Sequence, residues 1–329
     1  MKDDSMENME FLLDDEKLKK AYKKSKKMST IRTIVIVILV LIPLYVVNVM
    51  VISKMGTKYY AQVEKMLEIT KPNTYISKAN DTFGLLSASG QYTVSKRIGS
   101  YKSVEIYDQN SNYGLINIKR TLFSDSGGQK AGEWPVNFDN SGNLTMMAFH
   151  PDIKYKEYKN DLALLNKVSS DSLLEMTLSF DKKYKINEVS GILPKVQISE
   201  LLIDGYTDEE MGKYKKEASQ NDGKATFISE YSFIGFEGSR WFDYEANEVS
   251  NNYKKYLDNL QFNFKDKYYK NKFSNIYSML KNKDQLEANK VDIIGVVVYG
   301  SPEELQKLKS NPHVKASSVG IITKDIIFK

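Results

Sequence analysis

"IVIVILVLIPLYVVNVMVI" (Ile34–Ile52) runs for 19 residues without a charge. As a helix it reaches roughly 29 Å, close to the ~30 Å hydrocarbon layer of a bilayer. Pro43 and Asn48 interrupt it, yet prolines are tolerated in membrane helices. A buried core helix seldom runs this far uncharged, so a membrane span is the better reading. A cleaved signal peptide fits poorly too. The leader before the run is long and charged, the run exceeds an ordinary h-region, and no small-residue cleavage pattern follows. The stretch predicts one uncleaved signal anchor, a transmembrane helix over residues 33–53.

On the N-terminal side of the span the charge reverses abruptly. Residues 1–16 hold seven acids and one lysine, whereas residues 17–32 hold eight bases and no acid. Those bases are Lys17, Lys19, Lys20, Lys23, Lys24, Lys26, Lys27 and Arg32. The first 18 residues beyond the span offer only Lys54, Lys58 and Lys65. Lysine and arginine bias keeps the richer flank in the cytoplasm, so these eight residues are topogenic. Residues 54–329 are then expected outside, with the protein in the cell membrane.

The cytoplasmic segment, residues 1–32, is too short for an enzyme or a stable domain. "MENMEFLLDDEKLKKAYKK" (Met6–Lys24) consists of good helix formers, with acids leading and bases trailing as a helix dipole prefers. Its apolar residues fall on two facets, Met9, Leu12 and Leu13 on one and Phe11, Leu18 and Tyr22 on the other. Neither is a clean stripe. The plain reading is a solvated tail with a basic anchor on the lipid bilayer. Six apolar side chains in such a tail favour a segment that folds into a partner's groove.

Working outward, "KMGTKYYAQVEKMLEITKPN" (Lys54–Asn73) continues the helix and stops at Lys71, before Pro72. From Thr74 to Phe149 the alternation in "QYTVSKRI" (Gln91–Ile98), "SVEIYD" (Ser103–Asp108) and "YGLINIKRTLF" (Tyr113–Phe123) predicts antiparallel strands. "SDSGGQKAGEWP" (Ser124–Pro135) reads as a loop, and "YKEYKNDLALLNKV" (Tyr155–Val168) as a helix. Two strand–helix–strand units follow: 173–180, 185–193 and 198–206, then 292–300, 302–311 and 314–322. They predict a ferredoxin-like α/β sandwich, although 8–10 residues are few for a right-handed crossover. Residues 208–290 would be an insertion, with a strand in "ATFISEYSFIGF" (Ala225–Phe236) and helix from Glu248 to about Asn289. The expected fold class is α+β. After the anchor come a membrane-proximal helix with a β-rich part (54–150) and the α/β part (151–329).

Composition excludes much chemistry. The chain has no cysteine, hence no disulfide, thiolate nucleophile, lipid attachment through cysteine or sulfur-ligated zinc. His150 and His313 are the two histidines, and neither has a companion at ligand spacing, so no metal or cofactor is expected. Gly300 stands alone where a phosphate loop would use several glycines; Ser301, Pro302 and Glu304 make a helix cap instead. "TDEE" (Thr207–Glu210) reads as the same device. "RWFDYE" (Arg240–Glu245) mixes rings and charges as a sugar or peptide site does, but a packed strand or turn explains it as well. Nine lysines against four acids in Lys254–Lys290 suit a solvated face, or contact with anionic wall polymer or lipid head groups, better than nucleic acid.

"LLDDEKLKKAYKKSKKMSTIRTIVIVILVL" with "PNTYIS" resembles the N-terminal domain of the sigma factor regulator family of Gram-positive bacteria. "MMAFHPDIKYKEYKNDLALLNKVSSDSLLEMTLSFDKKYKINEVSGILP" with "GVVVYGSPEELQKLKSNPHVKASSVG" resembles that family's C-terminal domain. The resemblance implies a single-pass anti-sigma factor that holds an extracytoplasmic-function sigma factor at the membrane. Its outer part would sense the envelope or bind a second membrane regulator. Many anti-sigma factors carry a histidine and cysteine zinc-binding domain inside; this chain has neither residue there, so a short segment such as Phe11–Tyr22 would have to inhibit. The competing reading is an anchored extracytoplasmic enzyme or wall-polymer binder with a purely topogenic N-terminus.

Overall fold

A computed structural model describes residues 4–99, 102–116, 138–139, 141–193, 196–220, 227–239 and 245–324, with side chains from Lys17 onward. The apolar run is the middle of one helix, α1 (Asp4–Thr70), whose 67 residues extend roughly 100 Å. It contains a stretch long and apolar enough to cross a membrane, of which 6% is buried. Past that stretch α1 changes character: Val63, Leu67 and Ile69 are core residues. The helix stops at Thr70 because Pro72 disfavours helical backbone at Lys71. Asn73 then takes φ 66°, a left-handed conformation that asparagine tolerates, and the chain turns back along the helix.

Three antiparallel strands form a meander, β1 (Thr74–Phe83), β2 (Ser87–Ile98) and β3 (Lys102–Gly114). The strand expected at 113–123 stops at Gly114; residues 117–123 and the loop Ser124–Pro135 lie outside the described residues. Tyr92, Val94, Ile98 and Ile106 pack on Val63 and Leu67 of α1. At Gly56 a Cβ atom would lie 2.8 Å from the Tyr113 ring, so the close approach of helix and sheet there requires glycine.

β4 (Met147–Ala148) leads to β5 (Ser172–Tyr184), α2 (Ile186–Ile192) and β6 (Gln197–Ile203). The expected helix at 155–168 shrinks to a 3-10 turn at Asp161–Lys167. Its first half is drawn out instead, because the Lys159 carbonyl accepts the Ser317 N–H and Tyr155 packs edge-on against Phe149. After β6 come α3 (Asp208–Gln220), β7 (Ile228–Ser229), β8 (Gly235–Glu237), α4 (Ala246–Leu260) and α5 (Lys267–Asn282). The strand expected at 225–236 is thus two short pieces around a 3-10 turn at Glu230–Ser232, with Ala225 and Thr226 outside the described residues. The long helix expected from Glu248 breaks before α5, where the Asp266 carboxylate caps the N–H groups of Tyr268 and Tyr269.

β9 (Ile293–Gly300), α6 (Pro302–Gln306) and β10 (Val314–Lys324) complete the chain's main sheet. Its order is β10-β5-β9-β6-β8, every neighbouring pair antiparallel. Without the edge strand β8, the four strands of the two units run fourth, first, third, second, the ferredoxin-like arrangement. The short helices join parallel strands that are not adjacent: β9 lies between β5 and β6, and β5 between β9 and β10. All eight residues of β9 are buried, since both sheet faces are covered. One face carries the larger apolar core, with α2, α4, α5 and α6; the other meets Met146, Met147 and Phe149.

Candidate functional site

α1 carries the six residues expected to bind a partner. Helical periodicity places positions 11, 18 and 22 on one face and 9, 12 and 13 on the opposite one. Leu18 and Tyr22 are exposed, one turn apart. Lys17, Lys19, Lys20, Lys23, Lys24, Lys26, Lys27 and Arg32 are exposed around the same helix. The fold therefore gathers these residues on one rod without merging the two apolar facets.

The other end of α1 is held by a buried polar seam that sequence reasoning missed. Lys96 of β2 places its Nζ 2.5 Å from Glu175 Oε1 and 3.3 Å from Glu230 Oε1. Both Lys96 and Glu175 are buried. Glu230 also accepts the Met146 N–H at 2.9 Å. Asn73, just past the helix, donates to the Arg97 carbonyl and to the Tyr299 hydroxyl. Burial alone would lower the pKa of Lys96, but Glu175 and then Glu230 reverse this and hold it well above the usual lysine range. Glu200 nearby has the opposite fate: burial pushes its carboxyl up to about 8 against the pull of Lys96, so it is protonated at neutral pH. A signal was present, since Lys96 falls at alternate positions along its strand with the apolar Tyr92, Val94 and Ile98.

Beside the seam, a cleft of about 1060 Å³ opens between α1, the meander and the insertion. Tyr59, Tyr92, Tyr107, Tyr231, Phe264 and Tyr269 supply its walls. Lys71 lies 4.8 Å from the Tyr107 ring centre and 4.9 Å from that of Tyr231, a cation–π clamp on the first residue past the helix. Burial lowers the pKa of this lysine. Behind the wall, Asp81 accepts hydrogen bonds from Tyr60 at 2.6 Å, Tyr113 at 2.9 Å and Ser111. Ring-lined walls with a few charges suit a largely apolar ligand bearing a polar end.

Residues 17–103 match the family model described as sigma factor regulator N-terminal, and residues 165–321 match the one described as sigma factor regulator C-terminal. The chain belongs to the sigma factor regulator family. No solved structure and no curated protein sequence matches it. The first match runs from Lys17 of α1 into β3, and the second takes in the ferredoxin-like sheet with its insertion. Membership gives the regulator the general role of an anti-sigma factor, and a sigma factor as its partner.

The regulator's remaining candidates have structural roles. The Ser301 hydroxyl accepts the Glu304 N–H at 3.3 Å while Glu304 accepts the Ser301 N–H at 2.8 Å, so the Gly300 turn is a helix cap. Thr207 and Glu210 repeat it at 3.2 and 2.8 Å. The expectation for His150 needs correction, because folding brings its ring and the carboxylates of Asp152 and Asp204 within 4.8 Å of one another. The donor set does not fit a metal. His150 Nδ1 accepts the Asp152 N–H, and Nε2 lies 3.3 Å from Asp204. Lys183 lies 2.7 Å from each carboxylate, and Lys283 3.3 Å from Asp204. In the lysine-rich region Lys255, Lys265 and Lys267 are exposed, as on a solvated face; Lys255 also pairs with Glu68 of α1 at 2.7 Å, and Lys265 and Lys267 border the cleft. Arg240–Tyr244 of "RWFDYE" lie outside the described residues, and Glu245 precedes α4.

Proposed function

We propose that the regulator is a single-pass protein of the cell membrane that sequesters an extracytoplasmic-function sigma factor through its inner helix and responds outside to the state of the envelope. The observation that supports this most is the continuity of α1. One helix carries Leu18 and Tyr22 at one end and the buried Leu67 and Ile69 at the other. The basic flank supports a cytoplasmic location for the first end. There, Met9, Phe11, Leu12, Leu13, Leu18 and Tyr22 contact the sigma factor and cover its polymerase-binding surface. A ligand or force that alters the cleft acts on Lys71 and on the Asn73–Tyr299 contact, and hence on the tilt or rotation of the helix. The regulator works by binding, not catalysis.

The test removes residues 1–28, retains a basic flank, and reads envelope-stress transcription. Derepression is expected. Unchanged transcription, with a phenotype mapping to residues 54–329, would favour an anchored enzyme or wall-polymer binder instead. Changing Leu12, Leu13 and Leu18 to Asp should abolish capture of the sigma factor; intact capture would remove these residues from the contact.

A further inference from the structure

The β1–β2 turn ends in an apolar tip that stands exposed among the described residues. Leu85 is 81% exposed, and at the end of β3 Leu115 and Ile116 are 64% and 53% exposed, with Phe83 and Leu86 beside them. Asn48 of α1 fixes where this tip lies. Its amide donates to the Gly84 carbonyl at 3.0 Å, and its oxygen accepts the Leu86 N–H at 2.8 Å. Asn48 is four residues inside the apolar run that ends at Ile52, so the turn hangs roughly 6 Å below the end of that run. The buried contact of Ile52 with Ala88 and Tyr113 gives the same register one step higher.

On either side of Leu85, the backbone groups of Gly84 and Leu86 are satisfied from within the protein. Besides the two Asn48 bonds, Gly84 N–H donates to the Ser87 carbonyl at 2.8 Å, and the Leu86 carbonyl accepts from Leu115 and Ile116 at 2.8 and 3.3 Å. Backbone at membrane depth must be satisfied within the protein. Leu86 also holds φ 60°, a conformation that glycine or asparagine adopts at lower cost. We infer that this tip (Phe83, Leu85, Leu86, Leu115 and Ile116) is a second point of insertion in the bilayer, seated in the acyl layer of the leaflet on the side of α1 opposite the basic flank. The inference rests on reading Ile34–Ile52 as a membrane span.

The absence of cysteine allows a direct test. The full chain carrying Leu85→Cys, Lys78→Cys or Ile42→Cys is labelled with an environment-sensitive thiol fluorophore and reconstituted in phosphatidylglycerol–phosphatidylethanolamine vesicles. Lys78 is an exposed site on β1, roughly 20 Å above the turn; Ile42 is mid-span. The Leu85 label should lose iodide quenching and be quenched by lipid spin-labelled near the head group, the reverse of Lys78. Iodide quenching of Leu85 equal to that of Lys78, with Ile42 shielded, would overturn the inference and leave the span standing. Shielding of Leu85 without quenching by labelled lipid would mean a protein covers the tip, which also overturns it. Iodide access at Ile42 would remove the span itself, and the inference with it.

Discussion

The two faces of β5 come from alternate residues of one strand and work by different physics. Leu174, Met176, Leu178 and Phe180 enter the larger apolar core, where each buried side chain contributes about 1.5–3 kcal/mol without regard to direction. Glu175, Thr177 and Ser179 face the other way, to Lys96, to the Met146 sulfur and to the Phe149 N–H. Apolar contacts survive small slides of one layer over another. An ion pair at 2.5 Å does not. The dry face therefore makes the domain, and the polar face sets where the meander and the end of α1 sit upon it.

The most damaging way to break this contrast is Lys96→Met. It leaves Glu175 buried without a countercharge, and removing one member of a buried pair costs about 3–5 kcal/mol. Urea unfolding of the detergent-solubilised chain measures the loss. Adding Glu175→Leu should recover most of it, because an apolar replacement for both partners is often neutral. Recovery of stability without recovery of transcriptional control would sharpen the contrast, since position rather than stability would then be what the pair supplies. A single variant as stable as the parent would break it.

Next in size is Leu178→Ala on the dry face. Leu178 is fully buried, and such a truncation costs about 2–5 kcal/mol. Here hydrogen exchange should rise in β5 and β9 while Val63 and Leu67 of α1, which pack on the meander, keep their protection. Equal loss of protection in α1 would show that the two faces are not separable.

Much of this architecture was legible in the sequence, for reasons visible in particular residues. The uncharged Ile34–Ile52 run and the capping residues Ser301 and Glu304 act through local chemistry, so reading them needs no partner. The strand–helix–strand repeat was legible too, but its resolution into split units depended on β9 inserting between β5 and β6, a pairing across about 90 residues of insertion that no local pattern encodes. For the same reason local spacing gives His150 no companion, because Asp204 lies 54 residues away. The site divides likewise. Leu18 and Tyr22 could be named from helical spacing, whereas the Lys96–Glu175–Glu230 seam joins three segments distant in sequence. Its only trace was a charge on a strand face that should have been apolar.

An effect that vanishes near pH 4 and grows with pH concerns Glu200. Its folded pKa of about 8 lies above the ordinary 4.5 because burial outweighs the attraction of Lys96. An acid raised in this way stabilises the fold below its unfolded pKa and loses that contribution as pH rises through the folded value. At pH 7 the native chain must retain a proton that the unfolded chain has released, which costs about 3 kcal/mol. Glu200→Gln has no proton to lose. The variant and the parent should match near pH 4, and the variant's advantage should grow by about 1.4 kcal/mol per pH unit above 4.5 and level off above about 8. Urea titrations at a series of pH values measure it. A gap that does not change with pH would mean that Glu200 is ionised in the native state. The polar face would then hold Lys96 among three carboxylates, and its hold on α1 would depend on shared charge instead of on one pair.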